Sequence, residues 1–247
     1  MAYLSEIWRY PIKSHGRESV SEVKVTAGAA LPHDRLWAVI HENSTADGSE
    51  WVACHNFSRG AKAPSLMAIA THFDEKKNTL TMSHPNKEEI TFCPDTEGEK
   101  LIQWTKDLIP SDRSGSAKLI RARTAAMTDT NFPSITICSS TSHQALASEM
   151  GLDLSKNRWR GNLWIDDLDP WTEMDWIGKI VQIGNVQFDI VEPVQRCMAT
   201  TASPDTGIRD ADTLSALQAH GHQNISVNAV PRNKGNLSFG DKLTVID

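Results

Sequence analysis

The sequence predicts a mainly β protein of the α+β type, with a barrel-like β domain over residues 1–112 and a second β-rich domain with a few helices over 113–247. Short runs of β-branched and aromatic residues, bounded by Gly, Pro, Asn and Asp, recur through the first hundred positions. A polar, Gly-containing stretch at 111–116 then reads as an inter-domain linker. A second set of such runs follows, interrupted by only a few segments of helical spacing.

In chain order, the first domain carries candidate strands at 3–10, 21–27, 36–41, 51–54, 66–73, 79–83 and 90–93. Lys77-Asn78 and Pro85-Asn86-Lys87 have the composition of tight hairpin connections, so the expected pairing is antiparallel. Residues 97–109 place Leu101, Ile102, Trp104, Leu108 and Ile109 on a helical repeat that stops before Pro110. The second domain offers strands at 118–122, 135–138, 163–165, 180–183, 186–191, 225–230 and 243–246. Helices are expected at 142–150, closed by Gly151, and at 212–220, closed by Gly221. No internal repeat or low-complexity segment interrupts this pattern.

Composition narrows the function. The 247 residues are 39% hydrophobic and 23% charged, an ordinary globular balance. A formal net charge of -6 with no basic run argues against nucleic acid as a partner. The first ten residues lack a long apolar stretch and carry Glu6, so no signal peptide or membrane span is expected and a cytoplasmic protein is the simplest reading. Cys54, Cys93, Cys138 and Cys197 are far apart, without the Cys-x-x-Cys spacing of a structural zinc site or redox dithiol. Reduced thiols fit that compartment.

Among these thiols Cys197 is the most suggestive, because Arg196 precedes it and Arg158 and Arg160 lie in a segment the fold can bring near. Cationic neighbours favour the thiolate, the form that binds metal or attacks electrophiles. A buried structural cysteine is the plain alternative, and for Cys54, Cys93 and Cys138 it is preferred. Arg158, Arg160 and Asn162 alternate along an expected strand, so their side chains share one face. Such a face suits a phosphate or a polar heterocycle, or is simply solvated. The histidines are scattered. His220 and His222, the closest pair, do not complete a metal site.

Residues 196–207, RCMATTASPDTG, resemble the signature around the metal-binding cysteine of the MOSC family, including its amidoxime-reducing members. IWRYPIKS at 7–14 and HDRLW at 33–37 are similar to the β-barrel domain that precedes MOSC in those enzymes. RWRGN at 158–162 and LSFGDKLTVI at 237–246 match in the same order, so the resemblance spans nearly the whole chain. It implies an N-terminal β-barrel domain followed by a MOSC β-barrel domain. It also implies molybdenum held by the dithiolene of molybdopterin and by Cys197, soft donors that suit such a metal.

By the same resemblance, Lys13, Ser14 and Arg35 reach the cofactor from the first domain, and Ser139, Arg160, Asn162 and Arg196 from the second. A phosphate and a polar pterin need such charge-assisted donors. Thr200, Thr201 and Asp205 fix the cysteine loop or move protons, with a plain turn the alternative for Asp205. The implied activity is two-electron reduction of small N-hydroxylated compounds, fed by a separate haem or iron-sulfur protein, since an iron-sulfur domain does not follow Asp247. Cys54, His55 and Asn56 stand where many relatives carry an Arg-containing segment. A sulfur carrier or molybdenum-cofactor carrier, using a Cys197 persulfide or thiolate, is the alternative from another class. A binding module without catalysis is a third.

Overall fold

Leu4, Ile7 and Arg9 turn inward along the first strand, β1 (Tyr3–Arg9), while most intervening residues stay half-exposed. Ile7 and Arg9 keep the two-residue period of a strand with one buried face, and a register shift between Leu4 and Glu6 brings Leu4 onto the same side. The computed structural model describes residues 1–246. After β1 come β2 (Glu18–Val20), β3 (Glu22–Val25), β4 (Trp37–His41), β5 (Ala70–Asp74), β6 (Thr79–His84), β7 (Lys87–Phe92) and helix α1 (Gly98–Thr105). The chain continues through β8 (Ser116–Arg121), β9 (Ile135–Ser139), α2 (Ser140–Met150), β10 (Leu163–Asp166), β11 (Ile180–Ile183) and β12 (Val186–Gln195). It finishes with α3 (Thr213–Gln218), β13 (Asn224–Pro231), β14 (Gly235–Ser238) and β15 (Leu243–Ile246).

The largest sheet has eight strands in the order β15-β11-β12-β13-β9-β10-β1-β2. Its pairings are antiparallel except for β9 with β10. Among the described residues it does not close into a continuous barrel. The nearest approach of its ends is an isolated bridge between Tyr3 and Lys242, supported by Leu243 N–H to Ala2 C=O at 2.9 Å. Its inner face buries Leu4, Ile7, Ile137, Leu163, Val181, Phe188 and Val227 in one core. β3 pairs with β14 as a separate ribbon.

The other lobe holds the β5-β6-β7 meander, the β4-β8 pair and α1 around Trp37, Phe73, Leu80, Phe92 and Leu101. The two lobes exchange strands: β1 and β2 from the start of the chain complete the large sheet, while β8 returns to pair with β4. The segments joining the lobes therefore run through their seam.

Several local expectations are met closely. β5 and β6 join through Asn78, at φ 53°, after the Asp74 carboxylate accepts from the Lys76 and Lys77 amides. β6 and β7 join through Pro85-Asn86. Gly151 ends α2 in the left-handed region. Three expectations are corrected. Residues 51–54 form no strand; the chain makes a 3-10 turn, Cys54–Asn56, closed by Asn56 donating its amide to Ala53 C=O. The run at 66–73 is a 3-10 turn, Pro64–Ala68, before β5 begins, because Pro64 presets the first turn.

Residues 158–162 are not a strand either. Lys156–Trp159 is a 3-10 turn and Arg160 is left-handed at φ 49°. Gly161 follows because a Cβ there would sit 2.0 Å from the Cys138 sulfur.

Candidate functional site

At the seam lies a cavity of about 560 Å³. From the first half of the chain it is lined by Lys13, Ser14 and Arg35, and from the second by Arg160, Asn162, Arg196 and Cys197. Seven residues singled out from sequence thus face one space. Ser14, Arg35 and Arg160 all adopt positive φ, at 62°, 49° and 49°. Left-handed backbone costs a non-glycine residue about 1 kcal/mol, and such strain gathers at sites where surrounding contacts over-determine the geometry.

Tyr10 is the platform for the cations. It is fully buried, its hydroxyl donates to Gly161 C=O at 3.0 Å, and its amide donates to the Asp34 carboxylate at 2.8 Å. The guanidinium carbons of Arg35 and Arg160 lie 4.7 and 4.2 Å from its ring centroid. Burial pushes the Tyr10 hydroxyl well above its ordinary range, so it stays protonated. Arg35 pairs with Asp34 and donates to Arg160 C=O at 3.0 Å. Arg160 donates from Nη1 to Gly16 C=O at 3.2 Å, while its buried Nη2 has no protein partner. Burial first, then the neighbouring Arg35 charge, pulls the Arg160 pKa down to about 10, a cation held at cost for want of an anion. Lys13, buried, donates to Met127 C=O at 2.8 Å and to Asp129 at 2.5 Å.

Cys197 is exposed and stands at the start of the 3-10 turn Met198–Thr201. The loop around it is clamped from below. Arg196 donates twice to Ile225 C=O, at 3.0 and 2.8 Å, and once to Trp159 C=O at 2.6 Å. Arg158 donates to Thr200 C=O at 3.4 Å and pairs with Asp210 at 2.8 Å, leaving its buried Nε unpartnered. Thr200 donates to Cys197 C=O at 3.0 Å. These arginines fix where the sulfur points. Asn162 lines the cavity, but its amide is engaged with Thr136 N–H and Trp8 C=O, tying β9 to β1.

Three expected site residues do not line the cavity. Ser139 caps α2, accepting from Ser142 N–H at 3.2 Å. A serine directly before a helix is held by first-turn amides. Asp205 sits on the exposed turn before Gly207, 3.5 Å from Arg17. Thr201 donates to Met198 C=O at 2.9 Å and accepts from Arg209, so it braces the cysteine loop from behind. Conversely, the cavity recruits Ser134, Arg59 and Glu192, which the sequence does not mark, and Cys54, from the segment that departs from the family pattern. Arg59 donates to the Cys54 sulfur at 2.9 Å. Only the departure noted at Cys54 hinted at this wall.

Among the described residues, no cluster of three or more His, Cys, Asp or Glu side chains could hold a metal. A metal at Cys197 would need further donors from a cofactor. The wall fits such a group: a free thiol faces the same space as a guanidinium nitrogen lacking a partner and several buried cations. Among the described residues, no helix is long and apolar enough to cross a membrane.

Comparison with known proteins agrees with this geometry. Residues 1–112 match the model of the MOSC N-terminal beta barrel domain, and residues 128–244 that of the MOSC domain. The chain is similar to mitochondrial amidoxime-reducing component 1 of Mus musculus, at 26% identity covering 88% of this chain and 71% of that one. It is similar to mitochondrial amidoxime reducing component 2 of Bos taurus, at 25% identity covering 88% and 71%. It is also similar to molybdenum cofactor sulfurase 2 of Culex quinquefasciatus, at 23% identity over 87% of this chain but only 32% of that protein.

Proposed function

The chain belongs to the MOSC family, and from that membership we propose that it binds the molybdenum cofactor, Mo-molybdopterin, through Cys197 and reduces N-hydroxylated compounds. The observation that carries this reading is an exposed thiol sharing a cavity with Arg160, whose buried Nη2 lacks a partner. An anionic, sulfur-ligated group would satisfy both at once.

In this reading Cys197 supplies a soft thiolate donor, with Arg158 and Arg196 holding its loop. Lys13, Ser14, Arg35 and Arg160 hold the phosphate and pterin. Asn162 and Thr201 act on their neighbours, Asn162 by fixing the strands beneath and Thr201 by bracing the turn. Ser139 and Asp205 keep a proposed part only through α2 and the 203–207 turn. When bound, the cofactor would supply two-electron removal of oxygen from substrate nitrogen. Electrons would come from a separate haem or iron-sulfur protein, in the cytoplasm. The N-terminal domain would end near residue 112.

The test is expression in a cofactor-competent host, molybdenum analysis, and turnover of several N-hydroxy bases with an artificial electron donor. Stoichiometric metal with substrate-dependent reoxidation is expected; full loading with no turnover contradicts the enzymatic reading. A second reading, carriage of sulfur or cofactor, is favoured by the exposure of Cys197 and the likeness to a cofactor sulfurase. A persulfide on Cys197 in metal-free protein, seen by intact-mass spectrometry, would select it.

A further inference from the structure

The cavity is lined by six basic residues, Lys13, Arg35, Arg59, Arg158, Arg160 and Arg196, and by two acidic ones, Asp129 and Glu192. Among the described residues Glu192 has no ion-pair partner, and its hydrogen bond is a long one, 3.4 Å from the Asn228 amide. The other acidic side chain on the wall, Asp129, is neutralised by Lys13 at 2.5 Å. An unpaired carboxylate on a half-buried wall is a recognition element in want of a cation.

Backbone geometry points the same way. The β12–β13 ladder shifts register between Ile190 and Glu192, and again between Pro193 and Gln195. Bulges of this kind re-aim side chains, and they gather beside sites. Here Glu192, Pro193, Val194 and Gln195, on the strand that leads directly into Cys197, all line the cavity. Asn228, donated by β13, itself accepts from Thr136 Oγ1 at 3.2 Å, so the amide that holds Glu192 is fixed from its far side.

We propose that Glu192 is a specificity-determining residue that selects N-hydroxylated substrates carrying a cationic amidinium or guanidinium group over neutral ones. The inference rests on the reductase reading of the same cavity. There, Lys13 pairs with Asp129 and Arg35 with Asp34, and Arg160 would be matched by the anionic cofactor, which leaves Glu192, among the described residues, as the carboxylate of the wall without a cation. A planar, forked cation fits a carboxylate through two parallel hydrogen bonds, a geometry that neutral hydroxamic acids cannot reproduce.

The test compares an aryl N-hydroxyguanidine with a neutral aryl hydroxamic acid of the same size, in the loaded protein and in Glu192→Gln. The expected result is a roughly tenfold rise in KM for the cation, with kcat little changed and the neutral substrate unaffected. Glu192→Asp should recover part of the preference. Equal effects on both substrates, or none on either, would overturn the proposal. A second measurement separates it from the parent reading: calorimetric binding of the matching arylguanidine to wild type and Glu192→Gln. If no N-hydroxy compound is turned over but the arylguanidine binds wild type about tenfold tighter, the reductase reading fails and the cation subsite stands. Equal affinity would end the cation subsite whatever the turnover.

Discussion

At Arg160 the backbone turns left-handed, the guanidinium stacks on Tyr10, and one nitrogen is buried without a partner. None of this is visible in the string RWRGN. The resemblance pointed to the residue, but the spacing argument assigned it to a strand, because alternating polar side chains mimic a solvated sheet face. The chain instead turns there, and Gly161 after it packs on the Cys138 sulfur, a contact between segments 23 positions apart in sequence. His15 beside the site was equally unreadable. It is fully buried, bonds through Nδ1 to Lys13 C=O at 2.8 Å, and leaves Nε2 unpartnered. Burial lowers its pKa from 6.5 to about 4.

The sign of the resulting pH dependence is fixed. Between pH 6.5 and about 4 the unfolded chain binds a proton at His15 that the folded chain refuses. Stability from this group is therefore complete above 6.5 and falls as the pH drops, by up to about 3 kcal/mol. Denaturant titrations from pH 7 to 4 should show that loss, and His15→Asn should flatten the acid limb. An unchanged slope in the variant would reject the assignment.

At the scale of elements, strands and hairpins with local causes were legible. Asn78 and Pro85-Asn86 specified their turns, and Gly151 specified the end of α2. What failed were elements set by long-range partners. β14, four residues long, is a strand chiefly because β3, some two hundred positions earlier, offers it an edge. Ser139, which the resemblance implies as a cofactor contact, caps α2 in the structure. Ser139→Ala should cost about 1 kcal/mol and lower the thermal midpoint by about 2–4 °C, with molybdenum content intact. Loss of metal at unchanged midpoint would restore Ser139 to the cofactor wall.

For the whole molecule, the two lobes meet where the cysteine loop crosses to the N-terminal half. Arg209 holds that crossing, donating to Met198 C=O and Thr201 Oγ1 on the loop and to Ala61 C=O in the other lobe at 2.9 Å. Arg17 reaches back to Asp205 at 3.5 Å. The exchange of β1, β2 and β8 between lobes was not readable from composition. Nothing local marks a strand's partner when that partner is distant in sequence, as for β1 with β10 and β4 with β8. Arg209→Ala should lower the thermal midpoint by about 2 °C and speed cofactor loss on dialysis. A variant that keeps both at the wild-type values would show that the clamp is idle.

The coordinating role proposed for Cys197 is tested most directly by measuring molybdenum per chain, together with anaerobic absorption spectra, in wild type and Cys197→Ala purified from a cofactor-competent host. The expected result is near-stoichiometric metal with sulfur-to-metal charge-transfer bands in wild type. In a folded variant those bands should be lost or displaced and the metal content reduced. Equal metal content and identical spectra in the two proteins would contradict ligation by this sulfur.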